Sequence, residues 1–175
     1  MAVFYLDSSA VLKRYRTEKG TDVVDALYES VPERKPYKDI MEALRESLQE
    51  RRLATSHFTC LEVESVAART LKGKSLIDHA YSTLLGSFAH DLQQYVEVQS
   101  FDGDTLNYSI EITRRARLRP ADSIQLASAL RSVREGEELV LVASDKELLA
   151  AAEGAGIKTL NPEADDAMEV LKKTE

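Results

Sequence analysis

The chain has 175 residues, of which 43% are hydrophobic and 30% are charged, and its formal net charge is −7. This composition is typical of a globular chain with a sizeable core and excludes a disordered one. The acidic balance argues against a protein that coats nucleic acid through bulk charge, but it is compatible with an enzyme that acts on nucleic acid.

Apolar runs and cysteine content indicate the compartment. No run of apolar residues is long enough to cross a membrane, and the first one ends at Asp7, too soon for a signal peptide. Cys60 is the single cysteine, which excludes an intrachain disulfide and a cysteine-based zinc cluster. We therefore expect a cytoplasmic protein that makes no membrane contact.

The first apolar run, 2–6, predicts a strand buried on both faces, as in a parallel sheet. Asp7 would then lie at the carboxyl end of this strand, the edge at which open α/β sheets bind their ligands. In the alternative interpretation, Asp7 or Ser8 only caps the following helix. Periodicity and chain breaks then predict helices at 10–15, 22–30 and 37–52, a strand at 53–56, and helices at 59–71 and 75–92.

The second half of the sequence continues the alternation of strands and helices. It predicts a strand at 95–98, helices at 106–116 and 120–134, a strand at 139–142, a helix at 146–155, a strand at 157–160 and a short final helix. This alternation predicts an α/β fold, a three-layer α/β/α sandwich with a central parallel sheet. We expect residues 1–175 to form a single domain, with a helical insertion at about 31–52.

Acidic residues follow two of the predicted strands in the same way. Asp145, like Asp7, comes after an apolar strand, stands beside a serine and precedes a helix. Asp122 falls in the first turn of the helix that leads into the second of these strands. Each aspartate alone is explained as a helix cap or a favourable first-turn charge. Together they predict carboxylates gathered at one edge of the sheet. Glu62 and Glu64 are both candidates for a fourth acid, and the helical periodicity does not choose between them.

Five stretches resemble the PIN-domain ribonucleases, most closely the toxins of VapC-type toxin–antitoxin pairs. They are YLDSSAVLKRY at 5–15, TSHFTCLEVE at 55–64, RPADSIQLASA at 119–129, LVASDKELLAAA at 141–152 and GIKTLNP at 156–162. The resemblance spans nearly the whole chain and implies a PIN-like fold. It also implies that Asp7, Glu62, Asp122 and Asp145 form the family's acidic quartet, with Ser56 and Thr59 setting the register that selects Glu62.

The residue types indicate the chemistry of such a site. Clustered carboxylates repel one another unless a cation or a proton neutralises them, and hard oxygen ligands suit Mg²⁺ or Mn²⁺. The residue types therefore indicate a metal-dependent enzyme that hydrolyses phosphodiester bonds without a covalent intermediate. The resemblance to PIN-domain ribonucleases implies that this enzyme is an endoribonuclease acting on RNA. Ser8 or Ser144 is expected to assist through a hydroxyl group. Candidate phosphate contacts are Lys13, Arg14, Arg115, Arg117 and Lys146.

Two other functions remain as alternatives. A phosphohydrolase that forms an aspartyl phosphate would also place an acid after the first strand, but such enzymes usually need a second acid at the position of Ser9. A catalytically silent PIN-like module would bind a protein partner and show no metal-dependent cleavage.

The resemblance also implies an antitoxin partner and a homodimer. The predicted helix at 37–52 is a candidate interface because it carries a stripe of apolar residues. Packing of this stripe on the protein's own core explains it equally well. The stripe consists of Ile40, Met41, Leu44 and Leu48.

Overall fold

A sheet of five parallel strands occupies the centre of the computed structural model, which describes residues 1–33, 51–70 and 77–174. Within these ranges the strands lie side by side in the order β3-β2-β1-β4-β5. Their bounds are β1 Ala2–Leu6, β2 Arg51–Ser56, β3 Val96–Gln99, β4 Glu138–Val142 and β5 Lys158–Leu160.

Helices cover both faces of the sheet. They are α1 Ser8–Lys13, α2 Thr21–Glu29, α3 His57–Thr70, α4 Ile77–Gln94, α5 Gly103–Ala116, α6 Pro120–Ser132, α7 Lys146–Gly154 and α8 Ala167–Lys173. No helix within the described ranges is both long enough and apolar enough to span a membrane.

Strand β1 connects the two hydrophobic cores because its side chains alternate between the faces of the sheet. Phe4 and Leu6 pack into the core beneath α1, α2 and α8. Val3 and Tyr5 pack into the core beneath α5, α6 and α7. A continuous apolar strand is needed where both faces are covered, so the predicted three-layer α/β/α arrangement is confirmed.

The strand order reverses at β1. From β1 the chain builds β2 and β3 on one side, then crosses to form β4 and β5 on the other side. The backbone N–H of Asp7 donates to the carbonyl oxygen of Val142 at 3.1 Å, which joins the carboxyl ends of β1 and β4. Open α/β sheets bind ligands in the crevice at such a switch point.

The predicted strands and helices within the described ranges are confirmed, with ends shifted by one to three residues. The exception is the helix expected at 37–52, because Arg51 and Arg52 begin β2 and pair with Ala2 and Val3. In the sequence, the charged side chains of Arg51 and Arg52 fit the solvent-exposed face of a helix. In the structure, Arg51 donates to backbone carbonyls near the end of α8. The remainder of that helix, with its apolar stripe and most of the proposed insertion, lies outside the described residues.

Candidate active site

Four acids lie near the carboxyl edge of β1 and β4. Asp7 follows β1, Asp145 precedes α7, Asp122 stands in the first turn of α6, and Glu62 projects from α3. They are close enough to influence one another electrostatically. Burial is the largest cause that raises the pKa values of Asp7 and Asp122. The charge of Asp145 also raises the pKa of Asp122, and the charge of Glu62 raises the pKa of both aspartates.

Asp7 is the most buried of these acids, with 5% of its surface exposed. Its Oδ1 atom accepts hydrogen bonds from the backbone N–H of Ala10 at 2.9 Å and from the hydroxyl of Ser9 at 2.7 Å. Burial raises the pKa of Asp7 to about 7, although these two bonds act in the opposite direction. Asp7 therefore fulfils both interpretations, because it caps α1 and also places a carboxylate at the sheet edge.

Ser9, in the first turn of α1, connects the segment that follows β1 to the loop that follows β4. Its hydroxyl donates to Asp7 and accepts the backbone N–H of Ser144 at 2.9 Å. The hydroxyl expected to assist was that of Ser8 or Ser144, but Ser9 is the serine bonded to Asp7. The Ser144 hydroxyl is buried and has no hydrogen-bond partner among the described residues. Ser9 is separated from Asp7 by one residue, a spacing that lets a serine hydroxyl reach back to the acid.

Asp122 and Asp145 differ in how their oxygens are satisfied. The Oδ1 atom of Asp145 accepts the backbone N–H groups of Glu147 and Leu148 at 2.8 and 3.0 Å, so this acid also caps a helix. The Oδ2 atom of Asp122 is buried and accepts no hydrogen bond within the described part of the chain. A buried carboxylate oxygen without a donor is unfavourable unless a cation neutralises it.

Glu62 and Glu64 have different surroundings. The Oε2 atom of Glu62 accepts the amide of Gln125, on α6, at 2.6 Å. Glu64 is exposed and accepts the hydroxyl of Tyr81 at 2.7 Å. Of the two glutamates, only Glu62 raises the pKa of Asp7 and of Asp122. Gln125 is a site residue that the sequence did not reveal, although its position three residues after Asp122 places it one helical turn further along.

The five candidate phosphate contacts fall into two groups. Lys13 is buried and forms ion pairs with Glu18 at 3.2 Å and Glu163 at 2.6 Å. Arg14 pairs with Asp25 and Asp91. Both of these cations are thus engaged within the fold, whereas the other three are exposed. These exposed residues are Arg115, Arg117 and Lys146.

Arg119 is a further cation at the site. It precedes α6, is 72% exposed at its side chain and lies 4.0 Å from Glu147. Its positive charge opposes the rise in the pKa of Asp122, so it acts on the acidic site directly. The sequence placed Arg119 in a basic run but did not mark it as a contact.

The donor set fits a hard divalent cation. The unpartnered oxygen of Asp122 and its acidic neighbours supply negatively charged oxygens at one edge. Among the described residues, no group of three or more His, Cys, Asp or Glu side chains is arranged so that it could hold a metal ion. A set of three protein ligands is not required for Mg²⁺, because this ion keeps several waters and typically binds one or two carboxylates.

No protein-family model matches the sequence, and no curated protein matches it either. Solved structures do match. FitAcB from Neisseria gonorrhoeae aligns with a TM-score of 0.56 and 16% identity, over 91% of this chain and 97% of that one. VapC20 of Mycobacterium tuberculosis, a toxin that cleaves the sarcin–ricin loop, aligns with a TM-score of 0.55 and 15% identity, over 85% and 94%.

VapBC2 from Rickettsia felis, bound to a DNA fragment from its promoter, aligns with a TM-score of 0.55 and 11% identity, over 91% of this chain and 98% of that one. These neighbours are PIN-domain toxins of the VapC and FitB type. At such low identity the similarity establishes the fold, and the PIN-like fold implied by the sequence is confirmed.

Proposed function

We propose that this protein is a divalent-metal-dependent endoribonuclease and the toxin of a toxin–antitoxin pair. One observation carries the proposal: a buried oxygen of Asp122 has no donor and lies beside other acids at the switch point of a PIN-like sheet. Such a carboxylate is prepared for a cation. The toxin VapC20, which has the same fold, cleaves the sarcin–ricin loop.

Four residues would hold Mg²⁺ or Mn²⁺ in this proposal: Asp7, Glu62, Asp122 and Asp145. The chemistry that a divalent ion supplies at such a site is activation of water and neutralisation of phosphate charge. The protein's own contribution is to fix the carboxylates. Ser9 and the N–H of Ala10 orient Asp7, and the first turn of α7 orients Asp145.

The proposed reaction is the hydrolysis of a phosphodiester. Phosphorus gains the oxygen of a water molecule, its bond to the leaving oxygen breaks, and the proton lost by the water balances the proton taken up by the leaving group. The exposed cations would attract and hold the negatively charged backbone of the substrate through charge-assisted hydrogen bonds. They are Arg115, Arg117, Arg119 and Lys146.

We also propose an antitoxin partner and a homodimer. Several structures with this fold are of toxin–antitoxin complexes, among them one from Klebsiella pneumoniae. Helix α5 exposes Leu106 and Ile110, which lie one helical turn apart on the same face and are 46% and 40% exposed in the single chain. This pair is a small apolar surface available to a second chain. The lone cysteine fits a reducing compartment, and we expect the protein to act in the cytoplasm.

A cleavage assay on total RNA tests the catalytic proposal. Purified protein should cut RNA with Mg²⁺ or Mn²⁺, lose this activity in EDTA, and lose it in the Asp7→Asn variant. Parallel reactions with single-stranded DNA and with p-nitrophenyl phosphate distinguish an RNase from a DNase and from an aspartate-dependent phosphohydrolase. A protein that binds an antitoxin but cuts nothing in any of these reactions would be the catalytically silent module.

A further inference from the structure

A buried chain of hydrogen bonds runs from the central strand to Glu62. The hydroxyl of Tyr5 donates to Oε1 of Gln125 at 2.8 Å, and Nε2 of Gln125 donates to Oε2 of Glu62 at 2.6 Å. Tyr5 is fully buried and Gln125 is 2% exposed. Polar groups that are buried this deeply need hydrogen-bond partners within the protein, and Tyr5 and Gln125 are partners of each other.

The chemistry of the two ends fixes the orientation of the Gln125 amide. An ionised Glu62 has only acceptor oxygens, so the atom facing it at 2.6 Å must be the NH₂ group. The carbonyl oxygen of the amide then faces Tyr5 and needs a donor, which the hydroxyl supplies. Burial raises the pKa of Tyr5, so this hydroxyl keeps its proton.

Thr59 completes the surroundings of the amide. Its Oγ1 atom lies 3.0 Å from Nε2 and 3.1 Å from Oε1 of Gln125, so it is a second possible donor to that oxygen beside the closer Tyr5 hydroxyl. The backbone N–H of Thr59 donates to the hydroxyl of Ser56 at 3.2 Å. Ser56 ends β2 and Thr59 lies in the first turn of α3, three residues before Glu62. The amide is therefore held between the start of α3, strand β1 and α6.

We propose that Gln125 is a positioning residue that binds one oxygen of Glu62 and presents the other to the divalent ion, with Tyr5 fixing the orientation of the amide. This inference rests on the proposed function. Strand β1 would then position two of the proposed metal ligands. Asp7 directly follows the strand, and Glu62 is held through Tyr5 and Gln125. Partners that orient a metal ligand in this way typically contribute about 10- to 100-fold to metal affinity or activity.

The test measures the affinity of purified protein for Mn²⁺ by calorimetry, alongside RNA cleavage as a function of Mn²⁺ concentration. Gln125→Met, of similar length and without hydrogen bonds, should weaken Mn²⁺ binding about 10- to 100-fold. Tyr5→Phe removes one hydroxyl from the chain and should weaken it roughly 2- to 10-fold, the contribution of one hydrogen bond. In both variants, excess Mn²⁺ should restore most of the cleavage rate. Because Mn²⁺ also stabilises the folded state, circular dichroism of the metal-free variants separately identifies a folding defect.

Tyr81→Phe is the matched control, because Tyr81 donates to the neighbouring Glu64 from an exposed position. It should bind Mn²⁺ like the unmodified protein. If Gln125→Met does not fold, Tyr5→Phe alone decides. The positioning role is overturned if the folded variants bind Mn²⁺ normally while Glu62→Gln does not. If the unmodified protein itself does not bind Mn²⁺, the proposed metal-dependent function fails first, and the two failures are thereby distinguished.

Discussion

The hydroxyl of Ser9 accepts the backbone N–H of Ser144 at 2.9 Å while it donates to Asp7. Ser9 lies in the first turn of α1, just after β1, and Ser144 lies in the loop after β4; these two strands meet where the sheet reverses its order. One side chain thus fixes the separation of these two segments and the orientation of the most buried acid.

Replacing Ser9 with alanine should destabilise the protein. The change leaves the N–H of Ser144 without its acceptor and removes a donor from Asp7, which we expect to cost about 1–3 kcal/mol in the free energy of unfolding. Urea denaturation measures this cost. Ser8→Ala is the matched control, and we expect it to change stability by less than about 0.5 kcal/mol. Equal effects of the two substitutions would show that the hydroxyl of Ser9 does not join the two segments.

Asp7→Asn should stabilise the metal-free protein at alkaline pH while abolishing cleavage. The pKa of Asp7 is raised from 3.8 to about 7 in the folded state, so the folded protein binds a proton more readily than the unfolded chain. The free energy of unfolding therefore falls as the pH rises from about 4 to about 7 and does not recover above that. Asparagine keeps a carbonyl oxygen for Ser9 and Ala10 but never becomes charged.

The gain from Asp7→Asn should be about 4 kcal/mol at pH 8 and should nearly vanish by about pH 4, where the aspartate of the folded protein is protonated. Urea denaturation in EDTA at several pH values measures the difference between the two proteins. Asp22→Asn, at an exposed position in the first turn of α2, should change stability by less than about 1 kcal/mol at every pH. A difference between Asp7→Asn and the unmodified protein that is independent of pH would refute the raised pKa.

Divalent metal should stabilise the folded protein more at pH 8 than at pH 6. Protons compete with the cation for the carboxylates, and the pKa of Asp7 lies between these two pH values. At a Mn²⁺ concentration 100 times its dissociation constant, the stabilisation should reach about 2.7 kcal/mol. Thermal denaturation with and without Mn²⁺ measures it. Asp122→Asn should lose the effect, and a Mn²⁺ shift retained in that variant would place the ion elsewhere.

Glu62→Gln should lose cleavage, while Glu64→Gln should retain it. Glu62 lies among the acids and bonds to Gln125, whereas Glu64 is exposed and bonds to Tyr81. Loss of a ligand should reduce the cleavage rate on the order of 100-fold or more, beyond what an outer-shell partner contributes. Rates on one RNA substrate compare the two variants, since both substitutions remove a single charge. Activity lost only in Glu64→Gln would contradict this assignment.

Strands β1 and β4 were predictable because each is a nearly continuous apolar run between breaks, whereas β2, β3 and β5 also contain polar or charged residues and give a weaker signal. Asp7 and Asp145 were candidates for the sheet edge because Asp7 follows β1 directly and Asp145 lies three residues after the end of β4. Local patterns cannot reveal partners that are distant in sequence. From the sequence, Lys13 is expected to be a surface cation. In the structure it is buried and forms an ion pair with Glu163, which is 150 residues further along the chain. Tyr5 lies in an apolar run and is therefore expected in the core. Its hydrogen bond to Gln125 is seen only in the folded structure, where α6 packs against β1.

The position of β1 in the sheet has a consequence for synthesis of the chain. Strand β1 is translated before both of its neighbours. Ala2 can pair early with Arg51 of β2, but its second partner, Glu138 of β4, is translated much later. Contacts this far apart in sequence close late and slowly. Asp145 comes later still, so the acids cannot assemble on a nascent chain that ends before β4. The order of the strands therefore delays the assembly of the four acids until β4 and the residues that follow it have been synthesised.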